Sequence, residues 1–215
     1  MTRVKICGLS EEEHALVAAE AGADYLGFVF APSPRQVPPE KASQIISAVS
    51  RLNKPPLTVG VFVNAVPAEV NRTAEYCRLD LAQLSGDENL EYCHKINRPV
   101  IKTVHVSPED TPEKIYRELD RYRNEFGDGI TFMLDTHSKL IYGGTGSLFN
   151  WDVAGKLPAD WPVIMAGGLT PANVIGLVQK YRPWGVDVSG GVETNGKKDS
   201  RKIRAFIEIT KTVIR

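Results

Sequence analysis

The sequence predicts an α/β protein, a single (β/α)8 barrel domain with a closed sheet of eight parallel strands spanning residues 1–215. Eight strand-then-helix units follow one another, at the compact end of the roughly 200 to 400 residues such barrels use. Strands alternating with helices favour a parallel sheet. The alternative is an open doubly wound sheet, which periodicity alone does not exclude. The count of eight units and the lack of a Gly-x-Gly-x-x-Gly loop after the first strand disfavour it.

The first half of the chain supplies four of these units. Buried apolar runs predict strands at residues 4–7, 24–30, 57–63 and 79–84. Ser10 with Glu13 three residues later forms the pattern of a capping box, which predicts the start of the first helix. Prolines at the first helical position predict the next two starts, at Pro38-Pro39 and Pro67. A short helix is expected at 89–95.

The second half repeats the pattern with one interruption. Strands are predicted at 99–104, 130–134, 162–166 and 185–188. Thr111-Pro112 and Thr170-Pro171 predict helix starts, and a further short helix is expected near 151–155. The final helix should turn Ile203, Phe206, Ile207 and Ile214 inward. Residues 135–146 are longer than a usual strand-to-helix connection, and glycines at 143–146 suggest either a lid or an ordinary flexible loop.

Composition excludes several classes of function. The chain has 26 lysines and arginines and 26 aspartates and glutamates. This balance leaves no overall positive electrostatic field that would attract nucleic acid or an anionic membrane. No apolar run is long enough to span a bilayer, and no signal-peptide pattern begins the chain. Three cysteines without metal-ligand spacing indicate reduced thiols, so we expect a cytoplasmic protein.

Cys7 is the first candidate functional residue. Side chains alternate along a strand, so Cys7 shares a face with Lys5. A free cysteine is commonly a small buried hydrophobe, and that alternative stays open at this stage. If the thiol is reactive instead, its ordinary pKa of about 8.5 must be lowered to give a useful thiolate fraction at neutral pH. Lys5 is the group expected to lower it.

The barrel prediction places a site at the carboxyl ends of the strands. Two glycine loops occur there, Gly167-Gly168 after the seventh strand and Ser189-Gly190-Gly191 after the eighth. Backbone amides at these two positions commonly hold a phosphate, although glycines also serve simple turns.

Three charged residues complete the candidate site. Asp135 ends the sixth strand, where it either caps a turn or points into the mouth. Asp187 alternates with Val186 and Val188, so it should point inward and requires a partner such as Lys5 on the neighbouring first strand. Arg35 lies in a loop stiffened by Pro32 and Pro34, either to hold a carboxylate or as a solvated surface residue.

These segments together resemble the phosphoribosylanthranilate isomerase family. The resemblance rests on six segments in order from residue 4 to residue 193: Lys5-Ile6-Cys7-Gly8-Leu9, Phe30 with Ser33-Pro34-Arg35, Gln83-Leu84 with Gly86, Leu134-Asp135 with Gly143-Gly144-Thr145-Gly146, Ala166-Gly167-Gly168-Leu169, and Gly185-Val186-Asp187-Val188-Ser189 with Gly191-Val192-Glu193. The chain departs from the pattern twice. Ser85 stands where the family usually has histidine, and Gly190 where it often has serine.

The resemblance implies a cofactor-free and metal-free Amadori rearrangement, the third step of tryptophan synthesis from chorismate. N-(5-phosphoribosyl)anthranilate would become 1-(2-carboxyphenylamino)-1-deoxyribulose 5-phosphate, in a monomer or homodimer. By this resemblance Asp135 is the general acid and Cys7 the general base. Arg35 would hold the anthranilate carboxylate, the residues Gly167, Gly168, Ser189, Gly190 and Gly191 the phosphate, and Asp187 a sugar hydroxyl or the interior charge balance.

Two rivals to this function stay open. One is another sugar-phosphate isomerase of the same fold, including the histidine-pathway enzyme that acts on a two-phosphate substrate. That enzyme is expected to have aspartate after the first strand and phosphate loops in both halves, whereas this chain has Cys7 and paired glycines only in its second half. The other is a non-catalytic barrel that binds a phosphorylated metabolite.

Overall fold

Eight parallel strands close into a barrel in chain order, with the first strand pairing to the eighth. The computed structural model describes residues 1–107, 109–136, 155–158 and 160–212. The barrel strands are β1 Arg3–Cys7, β2 Tyr25–Val29, β3 Leu57–Phe62, β4 Leu81–Leu84, β5 Val100–Val106, β6 Ile130–Thr136, β7 Val163–Ala166 and β8 Gly185–Val188. The predicted fold class is therefore confirmed.

Helices connect the strands on the outside. They are α1 Glu12–Glu20, α2 Pro39–Val49, α3 Pro67–Tyr76, α4 Leu90–Cys93, α5 Pro112–Phe126, α6 Val174–Tyr181 and α7 Ser200–Thr212. After β8 the chain forms a two-stranded antiparallel hairpin, β9 Glu193–Thr194 and β10 Lys197–Lys198. None of the helices in these described ranges is long and apolar enough to span a membrane.

The core has an inner and an outer part because successive strand side chains face opposite ways. The inner cluster fills the barrel with Tyr25, Val59, Leu81, Ile101, Met133, Ile164 and Ala166. The outer clusters lie between sheet and helices, and they include Phe206 and Ile207 of α7 as predicted. Inward residues near the carboxyl ends of the strands form the floor of the mouth.

Two predicted helix N-caps are wrong. α1 begins after Glu11 with no side-chain cap, so Ser10 and Glu13 form no capping box. The amides of Gly8 and Leu9 bond to the Gly27 carbonyl, which extends the pairing of β1 with β2, and the helix begins at Glu12.

The helix predicted at Thr170-Pro171 begins at Val174 instead. The Asn173 side chain accepts from the Thr170 amide at 2.8 Å and donates to the Gly168 carbonyl at 3.0 Å. Those bonds hold residues 168–173 in a turn before the helix can start. The starts at Thr111, Pro39 and Pro67 are confirmed. The helix predicted near 151–155 and the loop at 143–146 lie outside the described residues, apart from Gly155.

A buried carboxylate shapes the mouth on the β3–β4 side. Glu88 accepts from the amides of Asn64 and Gly86, each at 2.8 Å, and forms an ion pair with Lys102 at 3.1 Å. Lys102 also donates to the Gly86 carbonyl at 2.7 Å. One carboxylate therefore fixes the segments that follow β3 and β4.

We predict that Glu88→Gln destabilises the protein strongly. The change leaves the buried Lys102 ammonium without its counter-charge, and breaking a buried pair from one side costs about 3 to 5 kcal/mol. Urea unfolding followed by circular dichroism measures the effect. The matched control is Glu91→Gln, because Glu91 pairs with Lys95 on the exposed surface and should leave the unfolding midpoint unchanged. Equal midpoints for the two variants would contradict the structural role of Glu88.

Candidate active site

Cys7, Lys5 and Asp187 form a buried group at the seam between β1 and β8. Lys5 and Asp187 are register partners on these strands, and the Lys5 Nζ donates to Asp187 Oδ1 at 2.8 Å. A Cβ added at Gly27 on β2 would lie 2.9 Å from the Cys7 Sγ and 3.0 Å from the Lys5 Nζ, so both atoms lie against that glycine. The predicted inward direction of Asp187 and its pairing with Lys5 are both present.

The Cys7 thiol is less acidic than the sequence predicts. Burial raises its pKa and the Asp187 carboxylate adds to the rise, while the positive charges of Lys5 and Lys198 oppose it without cancelling it. The expectation of a lowered pKa is therefore wrong, because desolvation of the thiolate outweighs the attraction to Lys5. Burial also lowers the pKa of Lys5, but Asp187 and Cys7 more than offset this and hold the ammonium charged.

Asp135 lies at the same mouth as Cys7. β6 continues to Thr136, so Asp135 is inside the strand and is not a turn cap. Its register partners are His105 on β5 and Ala166 on β7. Ala166 belongs to the inner cluster, and paired residues on neighbouring strands face the same side of the sheet. The half-buried Asp135 side chain therefore also faces inward, toward the mouth. A thiol and a carboxyl group thus face one opening from β1 and β6.

Arg35 makes a two-bond contact with Glu193. Its Nε donates to Glu193 Oε1 at 2.6 Å and its Nη2 to Oε2 at 2.9 Å. The solvated-surface alternative is therefore wrong. Since a guanidinium has five donors in a planar fork, the edge formed by Nη1 and Nη2 keeps donors for a second carboxylate.

The two glycine loops lie against each other. Gly167 and Gly168 have φ values of 96° and 65°, which an L side chain rarely adopts. A Cβ added at Gly191 would lie 1.8 Å from the Leu169 carbonyl oxygen, so that contact requires glycine. Gly190 and Gly191 begin a short 3-10 helix after Ser189, whose first amides have no partner within the helix. The loops after β7 and β8 therefore form one surface of backbone groups.

Lys198 and the ion-pairing role of Glu193 were not predicted from the sequence. Lys198 donates to Glu193 Oε1 at 2.7 Å and to the Ser189 carbonyl at 3.0 Å. The available signal was Asn195-Gly196, because that dipeptide favours a two-residue hairpin turn. Such a turn pairs Glu193 with Lys198 across β9 and β10, as the structure has it. Burial lowers the pKa of Lys198 even though Glu193 opposes this.

A polar cluster occupies the β4–β5 side of the mouth. Gln83 is 5% exposed, and its Nε2 contacts the Ser85 Oγ at 3.0 Å and the Thr103 Oγ1 at 3.4 Å. Its Oε1 has no hydrogen-bond partner among the residues described. A ring nitrogen of His105 lies 2.9 Å from the Ser85 carbonyl oxygen. An imidazole is thus present beside Ser85, on the adjacent strand.

A sequence model of N-(5'-phosphoribosyl)anthranilate (PRA) isomerases matches residues 4–209. The chain belongs to this family. A PRA isomerase of Geobacter sulfurreducens is 50% identical over 215 residues, which cover 98% of this chain and 99% of the relative. A PRA isomerase of Dehalococcoides mccartyi is 46% identical over 211 residues, which cover 98% and 96%.

Solved PRA isomerase structures share the fold over nearly the whole chain. A structure described as monomers generated from the dimeric enzyme of Thermotoga maritima is 37% identical, with a TM-score of 0.79 and coverage of 99% and 100%. A second structure with the same identity, TM-score and coverage is a PRA isomerase in complex with reduced 1-(o-carboxyphenylamino)-1-deoxyribulose 5-phosphate.

We predict that substitutions of Lys5 and Asp187 move the Cys7 pKa in opposite directions. Lys5→Met removes a charge that lowers the pKa and should raise it further, whereas Asp187→Asn should lower it. At a fixed pH of 8, iodoacetamide labelling of Cys7 should therefore slow in the first variant and accelerate in the second. Peptide mass spectrometry separates Cys7 from Cys77 and Cys93, two thiols whose burial raises their pKa to about 11 and which serve as internal controls. A shift in the same direction in both variants would contradict the assignment.

Proposed function

We propose that this chain converts N-(5-phosphoribosyl)anthranilate into 1-(2-carboxyphenylamino)-1-deoxyribulose 5-phosphate by an Amadori rearrangement in tryptophan synthesis. Membership of the PRA isomerase family supports the reaction. The observation that carries the mechanism is the inward-facing pair of Cys7 on β1 and Asp135 on β6 at one barrel mouth. A related enzyme is described in complex with a reduced form of this product.

Asp135 is the general acid of the first step. Its carboxyl proton goes to the furanose ring oxygen as the bond between that oxygen and C1 breaks. The nitrogen lone pair forms the C=N bond of an iminium ion, so Asp135 is left ionised. A half-buried position in a mouth lined by protein suits this role, because partial exclusion of water protects the iminium from hydrolysis.

Cys7 is the general base of the second step. The thiolate takes the proton from C2, and the electron pair of the C–H bond moves to the iminium and gives an enolamine. Transfer of the enol proton to C1 then yields the ketone, with no net oxidation. Burial raises the pKa of Cys7, so the resting group is a thiol, and the positive iminium beside it favours the thiolate. The thiol proton passes through solvent in the mouth to the ionised Asp135, and the C2 proton then restores the thiol, so both groups end in their starting forms.

The remaining contacts are assigned to substrate binding. The free edge of Arg35 holds the anthranilate carboxylate beside Glu193. Backbone amides of Gly167, Gly168 and the 189–191 segment hold the phosphate. Asp187 balances Lys5 inside the barrel, because its Oδ1 lies 2.8 Å from that ammonium.

The two-phosphate rival is disfavoured by the β3–β4 side of the mouth. A second phosphate needs free backbone amides in that half of the barrel. The amides of Asn64 and Gly86 that follow β3 and β4 both donate to Glu88 instead. A fixed carboxylate at this place would also repel an anion.

Consumption of the fluorescent substrate by the purified protein tests the proposed reaction, and absence of turnover by folded protein would refute it. Binding of the reduced product without turnover would support the non-catalytic alternative. A monomer or homodimer stays a prediction, and the Thermotoga maritima relative is described as dimeric.

We predict that Cys7→Ala and Asp135→Ala each lower kcat by about 10²-fold to 10⁴-fold, the contribution usual for general acid and base groups. Both variants should fold as the parent does. The matched control is Cys93→Ala, since Cys93 is a buried thiol in α4 and should leave kcat unchanged. Parent-like turnover in Cys7→Ala or Asp135→Ala would remove that residue from the mechanism.

We predict that Arg35→Ala mainly raises KM, by about tenfold or more, because the arginine contributes a charged hydrogen bond to the bound substrate. Steady-state kinetics separates KM from kcat. The control is Arg51→Ala, since Arg51 is exposed just after α2. A fall in kcat alone would place Arg35 at the transition state instead.

A further inference from the structure

Lys198 is a buried ammonium with all its contacts at one corner of the mouth. Its side chain is 4% exposed. Its Nζ donates to the Ser189 carbonyl at 3.0 Å, to the Ser189 Oγ at 3.3 Å and to Glu193 Oε1 at 2.7 Å. Since an ammonium has three donors, these contacts use its full capacity. The lysine therefore joins the start of the β8 glycine loop to the carboxylate that ends it.

Glu193 continues this chain of contacts to Arg35. Its Oε1 accepts from both Lys198 and the Arg35 Nε, and its Oε2 accepts from the Arg35 Nη2. Although burial opposes ionisation, hydrogen bonds from Arg35 and Lys198 lower the pKa of Glu193 to about 2. The carboxylate is therefore ionised throughout the neutral range and keeps both cations in place.

Arg35 in turn lies over the segment that carries Cys7. A Cβ added at Gly8 would lie 2.7 Å from the Arg35 Cδ and 3.0 Å from the Ser189 Oγ. A Cβ added at Gly190 would lie 3.2 Å from the Arg35 Nη2. The arginine side chain thus occupies the space between the Cys7 turn and the glycine loop.

We propose that Lys198 is a positioning residue that, through Glu193 and Ser189, holds Arg35 and the β8 glycine loop at a fixed separation beside Cys7. This inference rests on the proposed function, in which Arg35 and the loop bind the two anionic ends of one substrate. Lys198 directs its donors to Ser189 and Glu193, so it acts on both binding groups through those two residues. Its effect is to hold both binding groups in place before the substrate arrives, which reduces the conformational freedom that they lose on binding.

Lys198 also contributes to the charge balance around the thiol. Three cations interact with Cys7: Lys5, Lys198 and Arg35. Lys5 is paired with Asp187, and both Lys198 and Arg35 are paired with Glu193. Loss of Lys198 removes one of the two lysine charges that favour the thiolate. A residue that only stabilised the hairpin would have no such effect.

The test compares Lys198→Met with Lys197→Met. Lys197 is the exposed neighbour on the same strand and provides the matched control. Lys198→Met should raise KM, and the Kd for the reduced product 1-(o-carboxyphenylamino)-1-deoxyribulose 5-phosphate, by about tenfold or more, as expected when charged hydrogen bonds are lost. It should also slow iodoacetamide labelling of Cys7 at pH 8. Lys198→Arg keeps the charge and should recover part of each loss.

The outcomes separate the inference from the proposed function. If the parent neither consumes the substrate nor binds the reduced product, both fail. If the parent is active and Lys198→Met matches Lys197→Met in KM, Kd and labelling, the positioning role alone is refuted. A lowered Tm with unchanged kinetics and labelling also refutes it.

Glu193→Gln provides the second variant if Lys198→Met does not fold. It keeps the shape of the side chain but removes the charge that holds Arg35 and Lys198. The same rise in KM and Kd, relative to Lys197→Met, supports the inference, and parent-like values overturn it.

Discussion

The buried ion pair between Lys5 and Asp187 is the interaction on which the rest of the site depends. It lies where β1 pairs with β8, so it forms at the point where the barrel closes. A charge with no exposed surface requires a partner, and Lys5 is 0% exposed. Closure of the barrel in the correct register brings that partner to it. The same register places the Cys7 thiol two residues farther along β1, next to the charged pair.

Burial has opposite consequences for the charged pair and for the thiol. Lys5 and Asp187 keep their charges because each compensates the other. The thiolate of Cys7 has no such partner of its own, because the attraction of Lys5 and Lys198 is partly offset by the repulsion of Asp187. Desolvation then prevails, and the resting group is a thiol. In the proposed mechanism, this arrangement delays the formation of the thiolate base until the substrate carries a positive charge. It also limits modification of the cysteine between turnovers, because the thiolate is the reactive form.

The sequence predicted what depends on local pattern and failed where distant groups compete. Alternation along β1 and β8 was enough to orient Lys5, Cys7 and Asp187, and the barrel rule placed Asp135 and the glycine loops at one mouth. The predicted Ser10 cap is wrong, and the chain just before it is held by the backbone bonds of Gly8 and Leu9 to Gly27. The predicted direction of the Cys7 pKa shift is wrong because it depends on the burial of the thiol, which a six-residue segment does not show. The Asn195-Gly196 turn did carry a local signal for the pairing of Glu193 with Lys198.

For the proposed role of Arg35 in holding a carboxylate, its ion pair with Glu193 prepares the side chain for binding and does not compete with it. The exposed fraction of the side chains rises from 4% at Lys198 to 10% at Glu193 and 36% at Arg35, so the contacts run from the interior to the opening. Side-on contact with Glu193 restrains the guanidinium, and an arginine carries about 2 kcal/mol of rotamer entropy. Part of that freedom is already lost in the folded protein, so binding a carboxylate at the other edge requires less ordering. A long, exposed arginine in an unrestrained loop would not have this advantage, and the contacts of Glu193 account for the difference.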